Sequence, residues 1–106
     1  MPLPPQLTPE QRAAALAKGA EARRARAEVK ERLKTGSMPL SELLTQAEKD
    51  EIIGRMKVLS VIESLPGIGK IKARRIMEDI GIAETRRVQG LGAVQRRRLL
   101  EETERH

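Results

Sequence analysis

The sequence predicts an all-α protein in which a long N-terminal helix packs on a small helical domain. Apolar residues recur three and four positions apart, and no segment sustains the apolar–polar alternation of a half-buried strand. Gly and Pro divide the chain after one long uninterrupted run. With no Phe, Tyr or Trp among 106 residues, the core must consist of Leu, Ile, Val, Met and Ala.

The first part of the chain divides into a tail and a long helix. Residues 1–7 are rich in proline and should be extended. Thr8 can cap the helix, because Pro9 suits its first position and Gln11 completes a capping box. We expect a basic helix over residues 8–34, ended by the Thr-Gly-Ser sequence that follows.

This helix is polarised across its axis. At 100° per residue, its side chains form an apolar, a basic and an acidic stripe. In that order, the stripes contain Ala15, Ala22, Val29 and Leu33; Arg12, Arg23, Arg26, Lys30 and Lys34; and Glu10, Glu21, Glu28 and Glu31. One interpretation is a solvated helix with ion pairs such as Glu28–Arg32. The other is that the basic stripe follows the phosphates of DNA.

Residues 35–106 are assigned to one helical domain. Its predicted helices cover, in chain order, about 40–48, 50–55, 58–64, 70–80 and 93–104. Ser37 can cap the first of these, Pro66 ends the third, and Gly81 ends the fourth. A turn-rich stretch precedes the last helix.

The composition favours a polyanionic partner. The net charge is +6, and residues 66–100 alone carry nine Lys or Arg against three acids. The lack of aromatic residues argues against the usual single-strand binders, which stack bases on aromatic rings. There is no Cys for disulfides or thiolate metal sites, and no apolar run of membrane-spanning length. We expect a soluble cytoplasmic protein without a cofactor.

A glycine-rich turn, Leu65-Pro66-Gly67-Ile68-Gly69-Lys70, leads into a basic helix. It lacks the first Gly and the Ser/Thr of a Walker A loop, and Lys72 breaks a dinucleotide-binding pattern. An ordinary corner between helices, with Ile68 in the core, explains part of it. Backbone N–H groups at such a turn, next to Lys70 and the positive end of a helix, can also hold a phosphate.

A second turn, Val88-Gln89-Gly90-Leu91-Gly92, repeats the apolar-x-Gly-apolar-Gly pattern and also enters a helix. It is flanked by Arg residues at positions 86, 87, 96, 97 and 98. Two such turns in one basic segment suggest that both bind phosphates.

The stretch from Val61 to Ile80 resembles a helix–hairpin–helix signature, and the second turn extends it to a helix-two-turns-helix motif over about 57–104, as in Fpg/Nei glycosylases and ribosomal protein S13. The runs Leu7–Leu16, Ala22–Lys30 and Ile53–Val58 further resemble the actinobacterial integration host factors. This resemblance covers essentially the whole chain.

The resemblance implies a nucleoid-associated protein that binds duplex DNA with little sequence preference. Such a protein contacts mainly the backbone near the minor groove, bends or compacts DNA, and assists phage site-specific integration, with a phage integrase acting on the same DNA. We expect a monomer in solution, located in the nucleoid. The implied and inferred DNA-binding residues are Arg12, Arg23, Arg26, Lys30, Gly67, Gly69, Lys70, Lys72, Arg86, Arg87, Gln89 and Arg97. Gln89 replaces a common family Arg, and carbonyls of Leu65 and Ile68 are a candidate monovalent-cation site.

Two alternatives remain. The first is an enzyme, since related glycosylases attack with an N-terminal proline and this chain has Pro2. We expect no enzymatic activity, because the chain leaves no room for a catalytic domain, His106 is terminal, and the adjacent Asp50 and Glu51 point in different directions on a helix. The second is an RNA- or ribosome-associated protein, for which basic helices and phosphate-binding turns are equally suited.

Overall fold

The computed structural model describes residues 7–105, so most of the predicted tail, including Pro2, and His106 lie outside the described residues. The elements are α1 (Pro9–Thr35), α2 (Leu40–Ala47), α3 (Glu51–Gly54), α4 (Val58–Glu63), α5 (Gly69–Ile80), a 3-10 turn (Val88–Gly90) and α6 (Ala93–Glu104). Within this part of the chain, extended pairing is limited to one isolated bridge. The all-α prediction is therefore confirmed.

The predicted caps of α1 are present. The Thr8 hydroxyl accepts a hydrogen bond from the Gln11 N–H at 3.1 Å, and the Gln11 side chain accepts one from the Thr8 N–H at 3.0 Å. Gly36 ends the helix in the left-handed conformation, with φ of 80°. The 27 residues span about 40 Å.

Only the C-terminal part of α1 is anchored. Val29 and Leu33 are its two buried residues, and they join the core next to α3. Ala22 is half-buried, whereas Ala15, on the same predicted stripe, is exposed together with the rest of residues 9–18. The first half of α1 therefore projects beyond the domain.

The predicted cap of α2 is wrong. Pro39 occupies the N-cap position, and no side chain caps the helix. The Ser37 hydroxyl instead donates back to the carbonyl of Arg32 at 3.3 Å and lies 3.2 Å from the Thr35 hydroxyl. Ser37 thus adds a hydrogen bond at the end of α1 instead of capping α2, at a carbonyl that also accepts from the N–H of Met38.

The core is built from aliphatic side chains of every α-helix. Leu33, Leu43, Ile62 and Leu99 are fully buried, and Ile68 fills the space under the glycine-rich turn as predicted. Ala73 on α5 is also fully buried, and α5 packs against α4.

A pair of backbone hydrogen bonds fastens the second turn to the start of α4. The N–H of Val58 donates to the carbonyl of Arg86 at 3.0 Å, and the N–H of Val88 donates to the carbonyl of Met56 at 2.9 Å. These bonds flank an antiparallel bridge between Lys57 and Arg87. Two basic side chains from distant parts of the chain are thereby held side by side.

Over residues 7–105, no helix combines the length and the apolar character needed to cross a membrane. Within the same range, no group of three or more His, Asp or Glu side chains is placed to hold a metal ion.

Candidate nucleic-acid interface

A basic groove lies between α1, the α3–α4 connection and the second turn. Its volume is about 530 Å³, and its lining residues are Arg26, Lys30, Arg55, Met56, Lys57, Ser60, Arg87 and Gln89. Five of these eight residues are cationic, and none is acidic. The arrangement attracts an anion that can contact several cations at once.

Four of the predicted DNA-binding residues meet in this groove. Arg26 and Lys30 lie one turn apart on α1, on the side that borders the buried stripe. Arg87 and Gln89 enter from the second turn. Arg86, the other Arg of that turn, does not line the groove, because its side chain donates to the carbonyl of Gly90 at 3.0 Å.

The backbone and α3 fix the position of two groove residues. The Arg87 side chain donates to the carbonyl of Arg55 at 2.7 Å, which orients its guanidinium. Gln89 packs over Gly54, which is buried: a Cβ on Gly54 would lie 3.3 Å from the Gln89 side-chain oxygen and 3.2 Å from the carbonyl of Ala47. A glycine in α3 thus permits the second turn to approach.

The sequence did not predict Arg55, Lys57 and Ser60 as site residues. They lie within residues 35–65, where acidic residues outnumber basic ones, so the charge distribution did not indicate a basic site there. One signal was available: Arg55 and Lys57 flank Met56, which is buried, so the chain holds both basic residues at the surface on either side of it. Arg55 also forms an exposed ion pair with Glu51 on α3.

The first glycine turn leaves backbone donors at the surface. Gly67 and Gly69 have φ of 77° and 68°, which only glycine adopts readily. No side chain caps α5, and the N–H groups of Gly69, Lys70 and Ile71 donate to no atom among residues 7–105. These N–H groups lie at the positive end of a 12-residue helix, beside the exposed side chain of Lys70. The geometry suits a phosphate oxygen.

Lys72 is the other predicted cation of this turn. Its ammonium group donates to the carbonyl of Gly67 at 3.4 Å. The charge therefore folds back over the turn and adds to the positive potential at the N-terminus of α5.

The second turn resembles the first in sequence but not in backbone. Gly90 and Gly92 do not have positive φ. The N–H of Gly90 donates to the carbonyl of Arg87 at 2.9 Å, and the N–H of Gly92 donates to the Gln95 side chain at 3.0 Å. The glycine amides of this turn are thus occupied, and what it presents to a ligand is side chains.

The other predicted residues are spread over the surface. Arg12 and Arg23 are exposed on α1 and do not line the groove. Arg97 lies on α6, where it contacts Glu101 at 3.9 Å. Arg96, next to it, binds inward to Glu48 and to the carbonyl of Leu44. Arg12, Arg23 and Arg97 stay predictions as DNA contacts.

The candidate cation site also stays a prediction. The carbonyl of Leu65 accepts a hydrogen bond from the N–H of Ile68 at 3.3 Å, as in a tight turn. A carbonyl has a second lone pair, so this bond does not prevent coordination.

The charges of α1 are not paired with each other. None of the ion pairs among residues 7–105 joins two residues of α1, and the pair expected for a merely solvated helix, Glu28–Arg32, is not formed. The basic side chains of α1 are therefore available to an external anion.

Comparison with known proteins gives a consistent set of relatives. Residues 33–103 match the family described as S13-like H2TH domain. The chain is 60% identical over 97 residues to the integration host factor of Mycolicibacterium smegmatis, covering 92% of both chains. It is 59% identical over 95 residues to the integration host factor of Streptomyces coelicolor, covering 90% of this chain and 88% of the relative. A solved structure of sIHF bound to an 8 bp palindromic DNA matches with a TM-score of 0.79 at 50% identity, covering 82% of this chain and 98% of that chain.

Proposed function

The chain belongs to the integration host factor family of S13-like H2TH proteins, and on that basis we propose that it is a nucleoid-associated protein that binds duplex DNA and is not an enzyme. The observation that carries this proposal is the basic groove. It unites cations of α1, the α3–α4 connection and the second turn around one space without an acidic lining residue.

The types of residue in the groove favour contacts with the DNA backbone. Lys and Arg side chains neutralise phosphates, and such contacts position a protein on DNA without reading its sequence. Gln89 is the one groove side chain with an amide that can bind a base edge. We therefore propose binding with little sequence preference, by contacts to the backbone and the minor groove.

A second contact at the first glycine turn would deform the duplex. The groove contains Lys57 at the start of α4, and the turn follows the end of α4, about 9 Å away along the helix axis. The DNA backbone must place one phosphate at the groove and another at the turn, and we expect the duplex to bend in order to do so. Bending costs about 1–6 kcal/mol, which the additional contacts must offset.

From the proposed bending we infer a role in chromosome organisation. A monomer that bends DNA compacts it in the nucleoid of the cytoplasm. It also brings separated DNA sites together, which assists a phage integrase acting on the same DNA. Neither role requires a cofactor.

Salt dependence tests the proposed mode of binding. Fluorescence anisotropy should show similar affinities for several duplex sequences and a steep fall of affinity with salt. Lys30→Ala and Arg87→Ala should each lower the log–log salt slope by about 0.9 and weaken all sequences alike. Lys49→Ala is the matched control, because this exposed cation does not line the groove.

Two results would contradict the proposal. One is an unchanged salt slope in both groove variants. The other is a loss confined to one DNA sequence, which would indicate base readout.

The likeness to ribosomal protein S13 supports one other candidate, binding to structured RNA. Competition between a DNA duplex and an RNA duplex of equal length separates the two. We expect DNA to compete at least as well as RNA. Preferential binding to RNA would favour the alternative.

A further inference from the structure

An exposed isoleucine, Ile71, lies among the basic residues that follow the first glycine turn. Ile71 is the third residue of α5, and 80% of its surface is exposed, more than that of any other large apolar residue among residues 7–105. Its neighbours in the chain are Lys70 and Lys72. The side chain therefore contacts water in the folded protein, next to the N–H groups that suit a phosphate.

Neither folding nor helix stability accounts for this residue. The buried face of α5 is formed by Ala73, Ile76 and Met77, and at 100° per residue Ile71 lies on the opposite side. A β-branched residue is also a weaker helix former than Lys, Glu or Ala. In the first turn of a helix, an acidic residue would stabilise more.

The surroundings of Ile71 indicate which partner covers it. Lys70, Lys72, Arg74 and Arg75 surround it in sequence, and all are exposed. A partner must therefore present negative charge and an apolar surface within a few ångströms of each other. The minor groove of duplex DNA offers this combination, with phosphates at its rim, sugars along its walls, and apolar base-pair faces that become accessible when a base step opens.

We propose that Ile71 inserts into the minor groove as an apolar wedge and opens a base step when Lys70 and the α5 N–H groups hold the adjacent phosphate. Proteins that bend DNA use aliphatic side chains in this way, and a chain without aromatic residues has only aliphatic ones for the purpose. This inference rests on the proposed DNA-binding function and assigns the bending to one side chain.

The test separates bending from binding. A 30-bp duplex labelled at both ends reports bending by energy transfer at saturating protein, and anisotropy of the same duplex reports affinity. Ile71→Ala should lose at least about half of the bend, while affinity falls by less than about threefold, because the phosphate contacts remain. Ile71→Val should keep the bend.

Two further variants serve as controls. Ile71→Lys should bind at least as tightly at low salt and still bend poorly, since it adds a charge and removes the wedge. Val94→Ala should leave bend and affinity unchanged, because Val94 is also exposed in the first turn of a helix but the residues on either side of it in the chain, Ala93 and Gln95, are uncharged. No variant should lose appreciable thermal stability, since neither side chain is buried.

The outcomes distinguish this inference from the proposed function. If the wild-type protein does not bind duplex DNA, or binds without bending, the wedge and the proposed bending both fail. If wild type bends DNA and Ile71→Ala bends it equally, only the wedge is wrong. A duplex carrying 2-aminopurine gives direct evidence: fluorescence should rise with wild type and not with Ile71→Ala, and no rise with wild type would overturn the wedge.

Discussion

At the scale of single residues, substitution of Gly69 tests whether the positive φ of the first glycine turn contributes to DNA binding as well as to stability. Gly69→Ala places a Cβ in open space, yet φ of 68° is unfavourable for alanine by about 1–2 kcal/mol. We expect that loss in urea unfolding. DNA affinity should fall as well, because relaxing the backbone turns the N–H groups of α5 away from the phosphate.

Gly81→Ala is the matched control for this substitution. Gly81 has φ of 84°, ends the same helix, and likewise has no atom within 4 Å of the position that a Cβ would occupy. The substitution should cost similar stability and leave DNA affinity unchanged. Equal losses of affinity in both variants would show that the turn acts only through stability.

Helical periodicity and the family resemblance together predicted some of the residues that line the candidate site. Arg26, Lys30, Arg87 and Gln89 were predicted from helical periodicity and from the resemblance, and the fold brings them together. Arg55 and Lys57 were not predicted, because their place in the groove depends on the bridge between residues 57 and 87. Such a long-range pairing leaves no local pattern in the sequence.

At the scale of elements, the first half of α1 should bind DNA without supporting the fold. Ala15→Pro breaks the helix at a cost of about 3 kcal/mol, but residues 9–18 bury nothing, so the unfolding midpoint of the core should not change. Helicity by circular dichroism should fall, and the salt slope should fall by about 0.9 if the contact of Arg12 is lost. Unchanged salt dependence would show that this half of α1 does not touch DNA.

The contact between α3 and the second turn should be sensitive to volume. Gly54→Ala would place a Cβ 3.2 Å from a backbone oxygen that cannot move easily. We expect a loss of about 1–3 kcal/mol in unfolding free energy. Gly19→Ala, near the middle of α1, should instead stabilise the helix, since its one close neighbour is the end of the flexible Arg23 side chain. A neutral Gly54→Ala would mean that the turn is free to shift.

Element bounds were predictable where capping residues were distinctive. The Thr8 capping box and the Gly36 and Gly81 ends are as expected. The cap of α2 was not, because Ser37 has acceptors at the end of α1 as well as donors ahead of it. The two glycine turns share a sequence pattern but not a backbone conformation, because a similar sequence does not determine φ.

At the scale of the whole molecule, the dimensions limit the length of DNA that one copy covers. The longest extent is 52 Å, which corresponds to about 15 bp at 3.4 Å per base pair. Hydroxyl-radical footprinting of single bound copies should protect no more than this. A longer footprint from one copy would require the DNA to wrap around the domain.

The bridge between residues 57 and 87 fixes the shape of the groove independently of the side chains that line it. Main-chain atoms form both of its hydrogen bonds, so replacing either side chain leaves the scaffold in place. Substitutions at positions 57 and 87 can therefore tune how strongly this wall holds DNA without requiring a new fold.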